Sequence, residues 1–208
     1  MIALIDYGAG NLTSVRKGFA AAGAELFTPR RPSDIGRGSA IVVPGVGHFK
    51  ATAALDGEWR DAIAAAVSNG RPLFGICLGM QWLFEGSDEA PAVPGLGAIS
   101  GTCRRLRGGV EQGRHLKVPH VGWNALHERR PSRLPIRTGT HVYFTHSYAA
   151  PDGPASVATC RYGDDEFAAV VEQGHVFGVQ FHPEKSSAAG LRILERFVAI
   201  AREHEHAL

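Results

Sequence analysis

An α/β fold is predicted, with a central, mostly parallel sheet flanked by helices and further antiparallel strands in the C-terminal half. Three features predict it. Short apolar runs alternate with helix-period segments as far as Glu85, beyond Gly95 the apolar runs follow one another without helices between them, and one helix-period segment closes the chain.

The elements follow in order. Residues 2–5 are an apolar run ending at the glycine turn DYGAG, after which Asn11 is placed to cap a helix. Leu12, Val15, Phe19 and Ala22 recur at helical spacing and Gly23 supplies a stop. Residues 25–28 and 40–43 read as strands, the second running into Pro44-Gly-Val-Gly47. A helix through Trp59, Ile63 and Val67 ends at Gly70, residues 73–76 form a buried strand, and 78–85 an apolar helix. Residues 98–100, 141–145, 156–160, 167–171 and 175–181 read as antiparallel strands, with Gln173-Gly174 joining the last two. Leu191, Leu194, Val198 and Ala201 mark the closing helix, and 202–208 is expected to fray.

A chain of 208 residues suits one well-buried domain, here 1–208, and a net charge of +2 argues against a dedicated nucleic-acid binder. The three cysteines are too few and too scattered for a disulfide framework or a zinc site, so no metal or cofactor is expected. The opening MIALIDYG has no leader pattern and no run approaches a membrane span, so a cytoplasmic location is the expectation.

The stretch GICLGMQ, residues 75–81, carries the chemistry. A lone cysteine is most often a small buried hydrophobe. Here Gly75 and Gly79 stand two residues either side of Cys77, where a strand turning sharply into a helix must bring its ends together, as in a nucleophile elbow. That turn also sets the thiol at a helix start, where thiolate is favoured.

A cysteine nucleophile needs a base, and the base an orienting group. Among ten histidines, His182 stands out, because in His182-Pro-Glu184 side chains two apart on extended backbone point to one side. Taken alone, the same residues read as readily as a strand end and a capping turn. An oxyanion site needs backbone N–H donors. Leu78 supplies one, and the Pro44-Gly-Val-Gly47 turn, at the carboxyl end of its strand, is the candidate source of the other, through Val46.

These residues carry a resemblance. IDYGAGNL (5–12), PGVG (44–47), GICLGMQ (75–81), KVPHVGWN (117–124), YFTHSY (143–148) and GVQFHPEKS (178–186) run essentially end to end. The chain resembles class I (triad) glutamine amidotransferases, and more narrowly the glutaminase subunits of imidazole glycerol phosphate synthase. Met80 after Cys-Leu-Gly fits that subfamily, where many relatives acting on other acceptors have His.

The resemblance implies a flavodoxin-like glutamine amidotransferase fold and glutamine hydrolysis by Cys77, with His182 moving the proton and Glu184 orienting it. It implies that Gly47, Gln81, Glu89, Ser147 and Tyr148 line the glutamine pocket. It also implies a heterodimer in which ammonia passes to a (β/α)8-barrel cyclase subunit in histidine biosynthesis, a barrel this chain is too short to contain as well. The resemblance also places the motifs of Trp123, Tyr143 and Lys185 near that interface, with aromatic packing for the first two and a solvated charge for Lys185 as the alternatives. The arginine-rich stretch 104–133 is either part of it or charged surface. Another hydrolase built on the same elbow, or a regulatory module, are the competing functions. A degenerate module is expected to have lost Cys77, His182 or Glu184, and all three are present.

Overall fold

Alternation along the short central strands divides the core in two. In the computed structural model, which describes residues 1–111 and 113–207, β1 (Ile2–Leu4), β2 (Leu26–Phe27), β3 (Ile41–Val43) and β4 (Leu73–Ile76) run parallel. Val42, Phe74 and Ile76 point to one face, where Phe19 and Phe197 meet them, whereas Ile41, Val43 and Leu73 point to the other, against Ile63. A strand buried on both faces reads as an unbroken apolar run, because neither set of side chains meets water.

The helices follow from local signals. Helix α1 (Leu12–Ala21) is capped by Asn11, whose side chain accepts from the Ser14 N–H, and it buries Val15 and Phe19. Helix α2 (Glu58–Ser68) carries Glu58 and Asp61 in its first turn, favourable against the positive end of the helix. Helix α3 (Leu78–Trp82) directly follows β4.

The expected helix 78–85 stops at Trp82, and the expected strand at 98–100 does not form, for one shared reason. The carbonyls of Trp82, Leu83 and Phe84 accept from the N–H groups of Leu96, Ile99 and Gly97. The returning chain thus satisfies the helix end, and Ile99 is buried in that role rather than in a ladder.

Beyond it come β5 (Gly86–Ser87), β6 (Thr102–Arg105), β7 (Gly109–Glu111), β8 (Arg114–Leu116), β9 (His120–Ala125), β10 (His127–Glu128), β11 (His141–His146) and β12 (Tyr148–Ala149). Then follow β13 (Ser156–Tyr162), β14 (Asp165–Gln173), β15 (Val176–Val179) and helix α4 (Ser187–Ala207). Among the described residues one sheet has the order β10-β13-β14-β15-β4-β3-β1-β2, antiparallel on the β10 side of β15 and parallel from β15 onward. The expected mixed sheet is therefore present, with Gly174 at φ 58° making the tight β14–β15 turn. Strands β9 and β11 pair antiparallel outside it.

Helix α4 continues to Ala207 instead of fraying at 202, and Leu208 lies outside the described residues. Among the described residues no helix is long and apolar enough to cross a membrane.

Candidate active site

Strand β4 lies between β3 and β15, and where it ends the chain turns on one residue. Cys77 has φ 53°, a left-handed conformation costly for a residue with a Cβ, and its N–H donates to the Val179 carbonyl at 2.8 Å. The flanking glycines are required by contact. A Cβ on Gly75 would stand 2.7 Å from the Gly79 oxygen, and one on Gly79 would stand 1.8 Å from the Val43 oxygen. The elbow is thus wedged into the centre of the sheet, and it delivers the thiol to a cavity of about 270 Å³.

His182 follows β15. Its N–H donates to the Tyr143 carbonyl at 2.9 Å, and its own carbonyl accepts from the Ser186 hydroxyl, which in turn accepts from the Tyr143 N–H. Two strands thereby fix its backbone. Its Nδ1 meets Glu184 Oε1 at 2.8 Å, with both side chains almost wholly buried. A carboxylate only accepts, so Nδ1 carries the hydrogen in either charge state, and it is the neutral form of His182 that presents a lone pair at Nε2. Burial opposes charging of the imidazole, but interaction with Cys77 and Glu184 prevails and raises its pKa to about 9. Nε2 is buried and within Cys77's electrostatic reach, and among the described residues no group meets it in hydrogen-bond geometry, as is common before substrate tightens such a site.

Gly47, Gln81, Glu89, Ser147 and Tyr148 line the same cavity as Cys77 and Leu78. Glu89 is no solvated loop residue. Its Oε2 accepts the Phe49 N–H at 2.7 Å, which ties the cavity wall to the segment following Pro44-Gly-Val-Gly47. Gln81 is buried and donates through Nε2 to the Tyr148 carbonyl at 2.7 Å.

The oxyanion candidates are arranged differently from an open donor pair. The Leu78 N–H donates to the Gly45 carbonyl at 3.3 Å, and Val46 is 37% exposed. Tyr7 pins the loop from beneath, its hydroxyl donating to the Pro44 carbonyl at 2.7 Å. Burial, and secondarily the negative charge available at Cys77, push the Tyr7 pKa far up, so it remains a donor.

Trp123 and Tyr143 pair across β9 and β11 with rings 6.1 Å apart, and Lys185 Nζ stands 5.9 Å from the Tyr143 ring. The structure thus gathers these three. Trp123 and Val121, more than half exposed on one strand, form an apolar surface beside them. Several arginines of the 104–133 stretch are engaged within the chain instead: Arg107 with Asp165, Arg129 with Asp152 and Arg133 with Glu172.

Sequence reasoning missed three buried side chains here. His146 lines the cavity, bonds His120 at 3.2 Å and donates from Nδ1 to the Tyr148 carbonyl. Burial chiefly lowers the pKa of His146 to about 3 and of His120 to about 4, so both are neutral. The third is Gln180, fully buried, whose amide meets Cys77 Sγ at 3.6 Å.

Comparison with known proteins bears on the chain's family and fold. The family profile described as glutamine amidotransferase class-I matches residues 3–201. The imidazole glycerol phosphate synthase subunit HisH of Natronomonas pharaonis is 46% identical over 201 residues, covering 95% of this chain and 93% of that protein. The subunit of the same name from Bacillus subtilis is 43% identical over 213 residues, covering 99% of each. Among solved structures, one described as a glutamine amidotransferase superposes with a TM-score of 0.74 at 21% identity, over 97% of this chain and all of that one. The structure of PurLQS from Thermotoga maritima gives 0.68 at 18% identity, over 97% of each chain. At such identities these structures speak for the fold, while the profile and the relatives speak for descent. The chain belongs to the class-I glutamine amidotransferases, a family of cysteine-nucleophile enzymes, alongside the imidazole glycerol phosphate synthase HisH subunits.

Proposed function

We propose that the chain, as a single amidotransferase domain over 1–208, hydrolyses glutamine and passes the ammonia to a barrel-shaped cyclase subunit. That heterodimer would form imidazole glycerol phosphate and aminoimidazole carboxamide ribotide in histidine biosynthesis. One observation carries the reading: the Cys77 thiol and the Glu89 carboxylate face one cavity, with the Glu184-held His182 imidazole within Cys77's electrostatic reach.

Glu89 supplies negative charge for the α-ammonium of glutamine, and Gln81, Ser147, Tyr148 and Gly47 enclose the rest. His182 Nε2 takes the Cys77 proton and the thiolate attacks the side-chain amide carbon. The oxyanion so formed is met by the N–H groups of Val46 and, once the Gly45 carbonyl has withdrawn from it, Leu78. His182 returns its proton to the leaving nitrogen, the C–N bond breaks and ammonia departs. Water, deprotonated by His182, then cleaves the thioester and releases glutamate with the thiol restored.

The partner reading rests on the relatives' name, which makes them subunits of a synthase, and on the surface formed by exposed Trp123, Val121 and Lys185 with half-buried Tyr143. The deciding experiment mixes the chain with a cyclase subunit and measures glutamate release with and without the cyclase substrate. Release that depends on both supports the assignment, and a chain indifferent to the partner overturns the coupled part of it.

A further inference from the structure

We infer that Gln180 is a positioning residue for the nucleophile, donating a side-chain N–H to Cys77 Sγ and so favouring the thiolate; this rests on the reading of Cys77 as the attacking group. Sulfur alone does not say which end of an amide faces it, but the surrounding bonds do. The Tyr148 carbonyl can only accept, so the Gln81 atom 2.7 Å from it is the nitrogen. That nitrogen also lies 3.1 Å from the Gln180 side chain, which must turn its oxygen to it. The NH2 of Gln180 then faces Cys77 Sγ, at 3.6 Å. A chain of fixed polarity thus runs from the Tyr148 carbonyl through two amides to the sulfur.

The alternative contact of the sulfur is weaker and points the other way. Sγ lies 3.9 Å from the Thr145 carbonyl, which accepts only and serves the thiol form alone. Ionisation removes that contact and strengthens the Gln180 bond, because a hydrogen bond to a charged acceptor is stronger than one to a neutral acceptor. Gln180 is fully buried, and its backbone N–H is held by the Ala169 carbonyl, so little reorganisation is needed as charge develops. Gln81, which lines the cavity, holds the amide from behind.

The test follows alkylation of Cys77 by iodoacetamide across pH in the full-length chain, reading the Cys77 peptide by mass. Gln180→Met keeps length and apolar fit but removes the donor. We expect its alkylation midpoint to move to higher pH, with about tenfold less reaction below the wild-type midpoint, while thermal unfolding stays cooperative. Gln180→Leu is the second variant. A donor-free variant that folds and keeps the wild-type midpoint overturns the inference, since packing alone would leave the pH profile in place. Should both variants fail to fold, the wild-type protein still decides: the Gln180 side-chain amide proton resonance follows the Cys77 alkylation midpoint if the bond exists, and an unresponsive resonance overturns it. None of these readouts uses glutamine or a partner. A wild-type complex that lacks glutaminase activity therefore sinks the functional reading, whereas an unshifted Gln180 profile sinks only this one.

Discussion

The Leu78 N–H donates to the Gly45 carbonyl at 3.3 Å, so the donor beside the nucleophile is already occupied by the loop proposed to complete the oxyanion site. An oxyanion could claim it only after the loop withdraws. Two contacts resist that movement. Tyr7 holds the Pro44 carbonyl, and Gly45 is so close that a Cβ there would meet the Tyr7 hydroxyl at 2.1 Å. The isolated chain is therefore expected to be a poor glutaminase, slower than the substrate-loaded complex by about 10² to 10³, the usual effect of a missing oxyanion donor. Tyr7→Phe removes one restraint and is expected to raise the partner-free rate about fivefold, the worth of one hydrogen bond. Steady-state glutamate release from the variant and wild type, with and without partner, checks both; equal rates for free and loaded protein would end the gating idea.

His182, whose pKa is raised against burial first by Cys77 and then by Glu184, makes stability depend on pH in a definite direction. The folded imidazole pKa, about 9, exceeds its ordinary value of 6.5, so folding favours the protonated ring. The contribution is fully present below 6.5 and is lost as pH rises through 9. Replacing the carboxylate by an amide in Glu184→Gln removes the charge that pairs with the ring. Wild type is expected to exceed this variant by about 2 kcal/mol near pH 6, and the gap to narrow toward pH 10. Denaturant unfolding at several pH values measures it. A gap of constant size would mean that the pair is not an ion pair in the folded state.

At the elbow the prediction is steric. A Cβ at Gly79 would lie 1.8 Å from the Val43 oxygen, within the central β3–β4 region that cannot move independently. Gly79→Ala is expected to destabilise the fold by about 4 kcal/mol or to prevent folding. Gly36→Ala is the control, because a Cβ there meets nothing within 4 Å, and it should lie within about 0.5 kcal/mol of wild type. Chemical denaturation of the two side by side is sufficient, and comparable losses would mean that the turn does not need its glycine.

The elbow was legible in the sequence because its geometry is local: glycines flanking Cys77 leave few other purposes. His182 and Glu184 were legible as a local pair too, but the extended backbone expected to align them ends at His182: Pro183–Lys185 is a 3-10 turn, and Glu184 reaches the ring from that turn, the capping-turn alternative the sequence also allowed. Gln180 lies in that same segment yet carried no signal, since a lone glutamine after an apolar run reads equally as a strand end. Its meaning comes from Gln81 and Tyr148, distant in sequence, which fix the direction of its amide. His120 and His146 were hidden among ten histidines until β9 and β11 paired them register to register. The occupied Leu78 N–H was illegible for another reason. Residue types say which peptides can reach an oxyanion, but peptide orientation is a property of the loop's conformational state. Likewise the run at 98–100 has a strand's composition, and only its docking on the end of α3 decides otherwise.

Generation and use of ammonia should separate cleanly at Cys77. The residue already holds φ 53° with a Cβ in place, so Cys77→Ala adds no backbone strain and removes only a sulfur, a loss of about 1 kcal/mol. The sheet around it keeps its ladder, because the bond from the residue 77 N–H to the Val179 carbonyl is backbone to backbone. The mutant should bind the cyclase as wild type does, since Trp123, Tyr143 and Lys185 lie on β9, β11 and the turn after β15 rather than at the elbow. With glutamine, the mutant complex is expected to make no imidazole glycerol phosphate, a loss of about 10⁴ or more, because no other group in the cavity replaces the thiolate. With ammonium salt at raised pH, free ammonia bypasses the missing step and product formation should approach the wild-type level. His182→Ala is expected to split the two reactions in the same way, while Glu184→Ala keeps more glutamine-dependent turnover, since an orienting group contributes less than a nucleophile or base. Product formation by each complex with either nitrogen source, at matched binding, makes the measurement. A Cys77→Ala complex that binds the cyclase yet cannot use ammonia would place part of the second reaction within this chain. One that still uses glutamine fully would make the cysteine a packing residue after all.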